Sequence, residues 1–457
     1  MSASNESKYL RQLGARILCE ANDLKRTPEA LASELGVDLD FVTGVIEGNQ
    51  EFSSVRDFIW KMAEFYPISL ADLWLEIDDT VDGALIMDKA ASTETARIFE
   101  RPDTSGALMP YYEYRDTAMS RLAPFKSEWI KELRFVENND PHNSDVAFNK
   151  GHLMHQMTFF IGAVNFYWEV DGERYCVEMN TGDSCFITPF VPHSFAGRDE
   201  TAPALIIAAT FAGDVRRAIS EIVQMGTPAV ENLAGDLRDI SGYAQRLSAS
   251  LNAESLSSDD LKQHLVEQGI VADRASELAN GEIQPSQPEL VTLAVYLNLR
   301  PVDLNVPSLQ ASGEVTINYA EETNFRAFPS GDNNGHQIKP LARTSLQPYL
   351  KGFDIRISSG DKGEFCHGLH EYVYNYGDQS ITVFWGNGDA HQSMLRPGDS
   401  AYFQPMTPHR FECADGAEGS LVCVRIPGRL SKAVLDEYAS FPKAIRQRVA
   451  EETTRWF

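Results

Sequence analysis

The chain is poor in the features that would commit it to a membrane, a secretory route or a nucleic acid. It has no run of about 18 apolar residues, so no membrane-spanning helix is expected. The opening stretch MSASNESKYLRQLG has no apolar core and does not read as a secretory signal. Six cysteines (Cys19, Cys176, Cys185, Cys366, Cys413, Cys423) lie scattered without CxxC spacing. That spacing speaks against a disulfide framework or a structural zinc site and fits reduced thiols of a cytoplasmic protein. Cys366 adjoins His367 and reads as a packed thiol. Basic residues are scarce: 40 Lys and Arg against 66 Asp and Glu, a net charge of −26. Phosphate binding needs a basic face, so nucleic acid is excluded as the expected partner.

What the chain does have is an internal duplication. Its 457 residues, 43% hydrophobic and 23% charged, suit a soluble globular protein of about two to four domains. GHLMHQ and TPFVPHSF in the first half are echoed by CHGLHE and QPMTPHRF in the second. His152 and Gln156 stand 215 residues before His367 and Glu371, while Gly182 and His193 stand 216 before Gly398 and His409. A constant offset with a one-residue slip marks a repeat.

Each half begins with helical signals. Thr27-Pro28-Glu29 supplies a hydroxyl cap, a first-turn proline and an acid, and Gly36 is a stop. DLDFVTGVIEG, SSVRDFIWKMAEFY and SLADLWLEI follow; SSDDLKQHLVEQG, VADRASELANG and QPELVTLAVYLNL form the later set. Short helix, turn, short helix is the helix-turn-helix arrangement, but its second helix here is not basic. Each half then turns to strands rich in aromatic and β-branched residues, with Asp171-Gly172 as a hairpin signal. The expected fold is α+β: a tandem repeat of an all-helical, helix-turn-helix-like domain followed by a cupin (jelly-roll) β-barrel. The expected boundaries are a helical domain at 1–85 and a catalytic barrel at 95–213. Linker helices and a second helical domain follow at 214–310, a non-catalytic barrel at 315–428 and a C-terminal helix at 429–457.

Residues i and i+4 of a strand share a face, so His152 and Gln156 are expected to face a barrel interior and His155 the opposite side. His193 arrives from a neighbouring strand. Two histidines and an oxygen donor on one face leave open positions on a non-haem iron, and His367, Glu371 and His409 spell the same face with a carboxylate. Buried histidines bonded to backbone are the bland alternative; a three-residue pattern repeated at matched spacing favours metal.

The stretches FNKGHLMHQ, TGDSCFITPFVPHSF and PYYEY, with the N-terminal helices, resemble the phosphonate-oxidising non-haem iron cupin family. That resemblance implies Fe(II) as cofactor, with a small-molecule phosphonate and O2 as partners. It implies metal ligands at His152, Gln156 and His193. In other members the ligand is a carboxylate, either at the position of Gln156 or at that of Ile187. Glutamine at the first place with isoleucine at the second is the pattern of the methylphosphonate-forming members. The resemblance further implies catalytic roles for Lys25, Tyr114, Asn149 and Ile187, and substrate binding by Lys25, Tyr114, Asn149 and His193. The family's anion-clamping arginine falls here on Gly106, leaving Arg101 and Arg115 as substitutes. In the second half the counterparts are Glu364 for Asn149, the region of Gly352 for Tyr114 and Ser257 or Ser258 for Lys25, so that half is expected to be a scaffold.

The expected activity is Fe(II)- and O2-dependent carbon–carbon cleavage of 2-hydroxyethylphosphonate to methylphosphonate and carbon dioxide or bicarbonate. The alternatives are a dioxygenase releasing hydroxymethylphosphonate and formate, a helix-turn-helix–cupin transcriptional regulator, and a metal-storage or structural protein. No membrane partner is expected, and a homo-oligomer is left open.

Overall fold

The computed structural model describes residues 3–227, 240–305, 313–329, 336–359 and 363–451. The part of the expected linker at 228–239 and the chain end at 452–457 lie outside them. Among the described residues no helix is long and apolar enough to cross a membrane.

The first helices run Ala3–Asp23, Pro28–Leu35, Leu39–Ile46, Phe52–Phe65 and Leu70–Leu73. Thr27 accepts from Ala30 N to cap the second, and Gly36 ends it at φ 61. Their apolar faces close over Leu13, Ile17, Leu31, Val45, Val55 and Ile59. A matching set, Ser241–Glu254, Ser258–Glu267, Ala272–Ala279, Gln287–Tyr296 and Pro301–Leu304, closes over Leu261, Leu265, Leu278 and Leu293. The polar opening stretch therefore continues a long helix, which the sequence expectation omitted. The expected C-terminal helix is two helices, Lys432–Ser440 and Lys443–Glu451, because Pro442 lacks the N–H to continue the first.

Among the described residues the strands form two seven-stranded antiparallel sheets, each facing a three-stranded one. In the first barrel His155–Gly162, Ser184–Ile187 and Ala204–Phe211 pack against Val164–Val170 and His193–Gly197. Phe160, Phe166, Ile187, Phe195 and Ile206 fill the space between. The Asp171-Gly172 turn joins Val164–Val170 to Glu173–Met179 with both residues at positive φ (53 and 81), the two-residue hairpin expected. The second barrel has its own interior cluster around Ile355, Phe365, Val383, Phe403 and Phe411.

The boundaries expected at 85 and 315 need correcting. Ala84–Met87 pairs with Ser400–Phe403 and so belongs to the second barrel's sheet. Val315–Asn318 pairs with Ser184–Ile187 and belongs to the first. The exchange is reciprocal in detail: Asp399 Oδ1 accepts from Lys89 N (2.7 Å) and Asp183 Oδ1 from Ala320 N (2.8 Å). Ser400 Oγ accepts from Ala118 N (2.8 Å) and Ser184 Oγ from Ala342 N (2.9 Å). The outward faces of the two large sheets meet in one cluster of Phe125, Met157, Phe159, Phe186, Phe211, Tyr372, Tyr402 and Val424. Burying each such side chain contributes on the order of 1.5–3 kcal/mol. These strands are covered on both faces, so they read as near-continuous apolar runs.

Candidate metal centre in the first barrel

His152 does not lie on a strand. It sits in the loop that enters His155–Gly162, and the turn before it is made by Gly151 at φ 70. A Cβ on Gly151 would fall 2.4 Å from the carbonyl carbon of Phe190, so only glycine fits there. The His152 carbonyl accepts from Phe190 N (2.9 Å), which holds the loop against the segment leading to His193. The His152 Nδ1 is buried without a hydrogen-bond partner.

Gln156 is on the strand and buried. Its Nε2 donates to Thr158 Oγ1 (2.9 Å), which orients the amide and leaves its oxygen as the donor atom for a metal. Ile187 lies opposite it on the adjoining strand, also buried, and offers no ligand atom. His193 begins its strand; Nδ1 lies 2.8 Å from the Val191 carbonyl, an N–H···O bond that leaves Nε2 to face inward. The His152 and His193 rings stand perpendicular with centroids 5.4 Å apart. Asn149 binds both sides of this turn: Oδ1 accepts from Gly151 N (3.0 Å) and His193 N (2.9 Å). Its Nδ2 lies 3.0 Å from His193 Nε2. His155 points the other way, stacked between Phe186 and Phe211, with burial pushing it down to about 4.

The site fits a divalent ion on its own terms. It offers an orphaned buried imidazole nitrogen, a second imidazole tied back through its far nitrogen and an oriented, buried amide. Among the described residues no group of three His, Cys, Asp or Glu is arranged to hold a metal.

Tyr114 is cross-strand neighbour to Arg97, whose guanidinium lies 5.8 Å from its ring, and burial pushes its hydroxyl well above the usual range. It therefore stays a hydrogen-bond donor. Of the two candidate arginines, Arg115 pairs with Glu113 and stacks on Trp129, whose ring packs at the barrel–barrel interface. Arg101 lies 5.0 and 5.3 Å over Tyr111 and Tyr112, bonds the Ala147 carbonyl, and its charge is felt at Tyr114 and His193. Of the two, Arg101 is the one whose charge reaches His193. Lys25, at φ 57, rests its ammonium on the carbonyls of Asn22 (3.3 Å) and Asp23 (3.4 Å). Its helical unit borders the second barrel: Lys8, Tyr9 and Gln12 share a cleft with His391, Met406 and Thr407. That placement does not gather Lys25 with the other residues of the site.

Two acids were missed. Glu128 is raised by burial and opposed by Arg97 and then His152; Glu132 is fully buried, held well above the usual carboxylate range by desolvation, with neither oxygen bonded. Strand alternation in FKSEWIKE places Glu128, Ile130 and Glu132 on one face, which was the available signal.

In the second barrel the strand register revises two counterparts. Phe365 N donates to the His409 carbonyl (2.7 Å) as Asn149 N does to that of His193 (3.0 Å), so Phe365, not Glu364, takes the asparagine's place. Ile338 pairs with Ile355 as Tyr114 pairs with Ile130, so Ile338, not Gly352, takes the tyrosine's.

No family model matches the chain. A methylphosphonate synthase from Nitrosopumilus maritimus (strain SCM1) is 35% identical over 98% of this chain and 96% of that protein. The chain belongs to the methylphosphonate synthase family. It is an enzyme, a non-haem iron oxygenase, and the regulator and storage readings are set aside. Streptomyces albus HEPD, solved with 2-hydroxyethylphosphonate and Fe(II) bound, is 31% identical and superposes with a TM-score of 0.88 over 98% of this chain and 99% of that one. A variant of 2-hydroxyethylphosphonate dioxygenase shares the fold at 18% identity, with a TM-score of 0.75 over 94% and 99% of the two chains.

Proposed function

We propose that the chain is an Fe(II)- and O2-dependent enzyme that cleaves the carbon–carbon bond of 2-hydroxyethylphosphonate to give methylphosphonate and carbon dioxide or bicarbonate. The observation that carries this reading is Gln156 oriented by Thr158, with Ile187 opposite and two inward imidazoles beside it. The balance is one substrate and one O2 to one methylphosphonate, one CO2 and one water. We read the architecture as two helix-turn-helix-like units, each followed by a cupin barrel, with the boundaries moved by the exchanged strands.

Iron held by His152, Gln156 and His193 would supply the open positions for substrate and O2 and the electron that starts the oxidation. The residues around it do the rest. With three neutral donors the centre keeps its full double charge, which a dianionic phosphonate complements. Asn149 Nδ2 now lies against the Nε2 lone pair that a metal would take. With that lone pair committed to a metal, the amide would be left to donate to a phosphonate oxygen. The protonated Tyr114 hydroxyl donates to the same anion, and Arg101 neutralises it from the side of Tyr111 and Tyr112. Ile187, Phe160 and Phe195 keep the interior dry, so the reacting fragment meets no competing water. Lys25 would complete this set only by reaching the site from a position it does not hold here.

The second reading, oxidation to hydroxymethylphosphonate and formate, is favoured by the similarity to Streptomyces albus HEPD. Phosphorus NMR of the anaerobically iron-loaded protein, given 2-hydroxyethylphosphonate and then O2, separates the two. Methylphosphonate is the expected product. Hydroxymethylphosphonate alone would establish the second reading instead.

A further inference from the structure

The second barrel repeats the two-histidine, one-carboxylate spelling, yet its carboxylate is already engaged. Glu371 is fully buried and accepts from Arg425 Nε at 2.8 Å, from Cys423 Sγ at 3.2 Å and from His367 Nε2 at 2.5 Å. His409 is tethered through Nδ1 to the Thr407 carbonyl (2.9 Å), as His193 is to Val191, and its Nε2 lies 3.4 Å from Glu371 Oε1 without a hydrogen bond. The three side chains keep the sequence pattern of a metal site, but as they stand they are not arranged to hold an ion, and a guanidinium sits on the carboxylate.

The strand register shows how the two barrels diverged. In the first, Thr210 stands opposite Gln156 and Ile187 on its other side. In the second, Arg425 stands opposite Glu371 where Thr210 would be, and Phe403 stands where Ile187 would be. Phe403 stacks on His409 at 4.1 Å, and the Arg425 guanidinium lies 5.1 and 5.3 Å from the rings of Phe353 and Phe365. Phe353 takes the place of Glu128 and Phe365 that of Asn149, so the polar substrate side of the first barrel is aromatic here. A divalent ion beside Glu371 would face a fixed positive charge in a poorly screened interior, and the guanidinium already meets the carboxylate's need for a counter-charge.

We propose that Arg425 is the built-in cation of the second barrel, closing His367, Glu371 and His409 as a metal-free constellation with a latent two-histidine, one-carboxylate site beneath it. This concerns the second barrel alone and stands whatever product the first barrel makes. The test counts metal per chain after anaerobic incubation of the full-length protein with excess Fe(II) and desalting, in a His152→Ala/His193→Ala background that silences the first barrel. With Arg425 intact this background retains no iron; adding Arg425→Thr, the residue at the first barrel's matching position, retains one iron per chain, and a further His409→Ala loses it. Arg425→Lys keeps the positive charge and retains none. The proposal is overturned if the background with Arg425 intact already holds an iron that His409→Ala removes. It is equally overturned if the Arg425→Lys chain binds iron, or if Arg425→Thr melts cooperatively yet holds none. Should Arg425→Thr not fold, Arg425→Met, which keeps the apolar stem between the two phenylalanines, replaces it under the same criteria.

Discussion

As the proposed third ligand, the Gln156 amide would offer an uncharged oxygen where a carboxylate is the alternative, and the consequences are separable by substitution. Gln156→Ala removes one of three donors, so Fe(II) affinity and turnover should fall together by at least ten-fold. Anaerobic titration and oxygen uptake check this, and wild-type turnover in that variant would refute the assignment. Gln156→Glu restores a carboxylate; iron should be retained while the ratio of methylphosphonate to hydroxymethylphosphonate changes in the phosphorus spectrum. Arg101→Gln removes the charge proposed to meet the substrate anion, so KM for the phosphonate should rise roughly ten- to hundred-fold with iron content unchanged. The pattern of His152, Gln156 and His193 was legible in the sequence because its spacing is repeated, whereas attention to Ile187 came only with the family resemblance. Three features were not: His152 lies off the strand, Arg101 is chosen over Arg115 by which face of a hairpin each occupies, and Phe365 replaces Asn149 through a one-residue gap that fixed offsets hide.

At the level of elements, caps and turns were readable and pairings were not. Thr27 and Gly36 bound their helix as their chemistry demands, and Asp171-Gly172 turns its hairpin. The loop that delivers His152 depends equally on one glycine. Gly151→Ala meets both a positive φ and the Phe190 backbone, so it should cost on the order of 1–3 kcal/mol and weaken iron binding beyond that loss. A melting curve together with a metal titration distinguishes the two effects. In the second helical unit Glu289 pairs with Arg274 and accepts from Ser286 N (2.7 Å), and these bonds hold it at about 2. A carboxylate depressed below its unfolded value of 4.5 contributes stability above that pH and loses it as pH falls toward about 2. Glu289→Gln should therefore melt lower than the parent at pH 7, with the gap narrowing below about pH 4.5. A gap that is constant with pH would show that the pair contributes by packing alone.

On the scale of the whole molecule the repeat is not two independent barrels in series. Each large sheet takes a strand from the other half: Val315–Asn318 lies beside Ser184–Ile187, the strand that carries Ile187 next to Gln156. Tandem motifs in the sequence suggested sequential domains because period and offset report what is repeated, whereas pairing partners far apart in the chain leave no periodic trace. The candidate metal centre thus lies on a sheet whose edge belongs to the other half, and the barrel–barrel cluster of Phe159, Phe186, Tyr372 and Tyr402 buries the outer faces of both sheets. A fragment of residues 1–227 would expose that apolar face and leave Ser184–Ile187 as an open edge, a template for aggregation. It should be insoluble or iron-free alone and should recover iron binding when co-expressed with residues 240–457, because the second fragment brings both the strand and the covering face. A soluble fragment of residues 1–227 that binds iron with parental affinity would show that the exchanged strand is dispensable and that each barrel stands by itself.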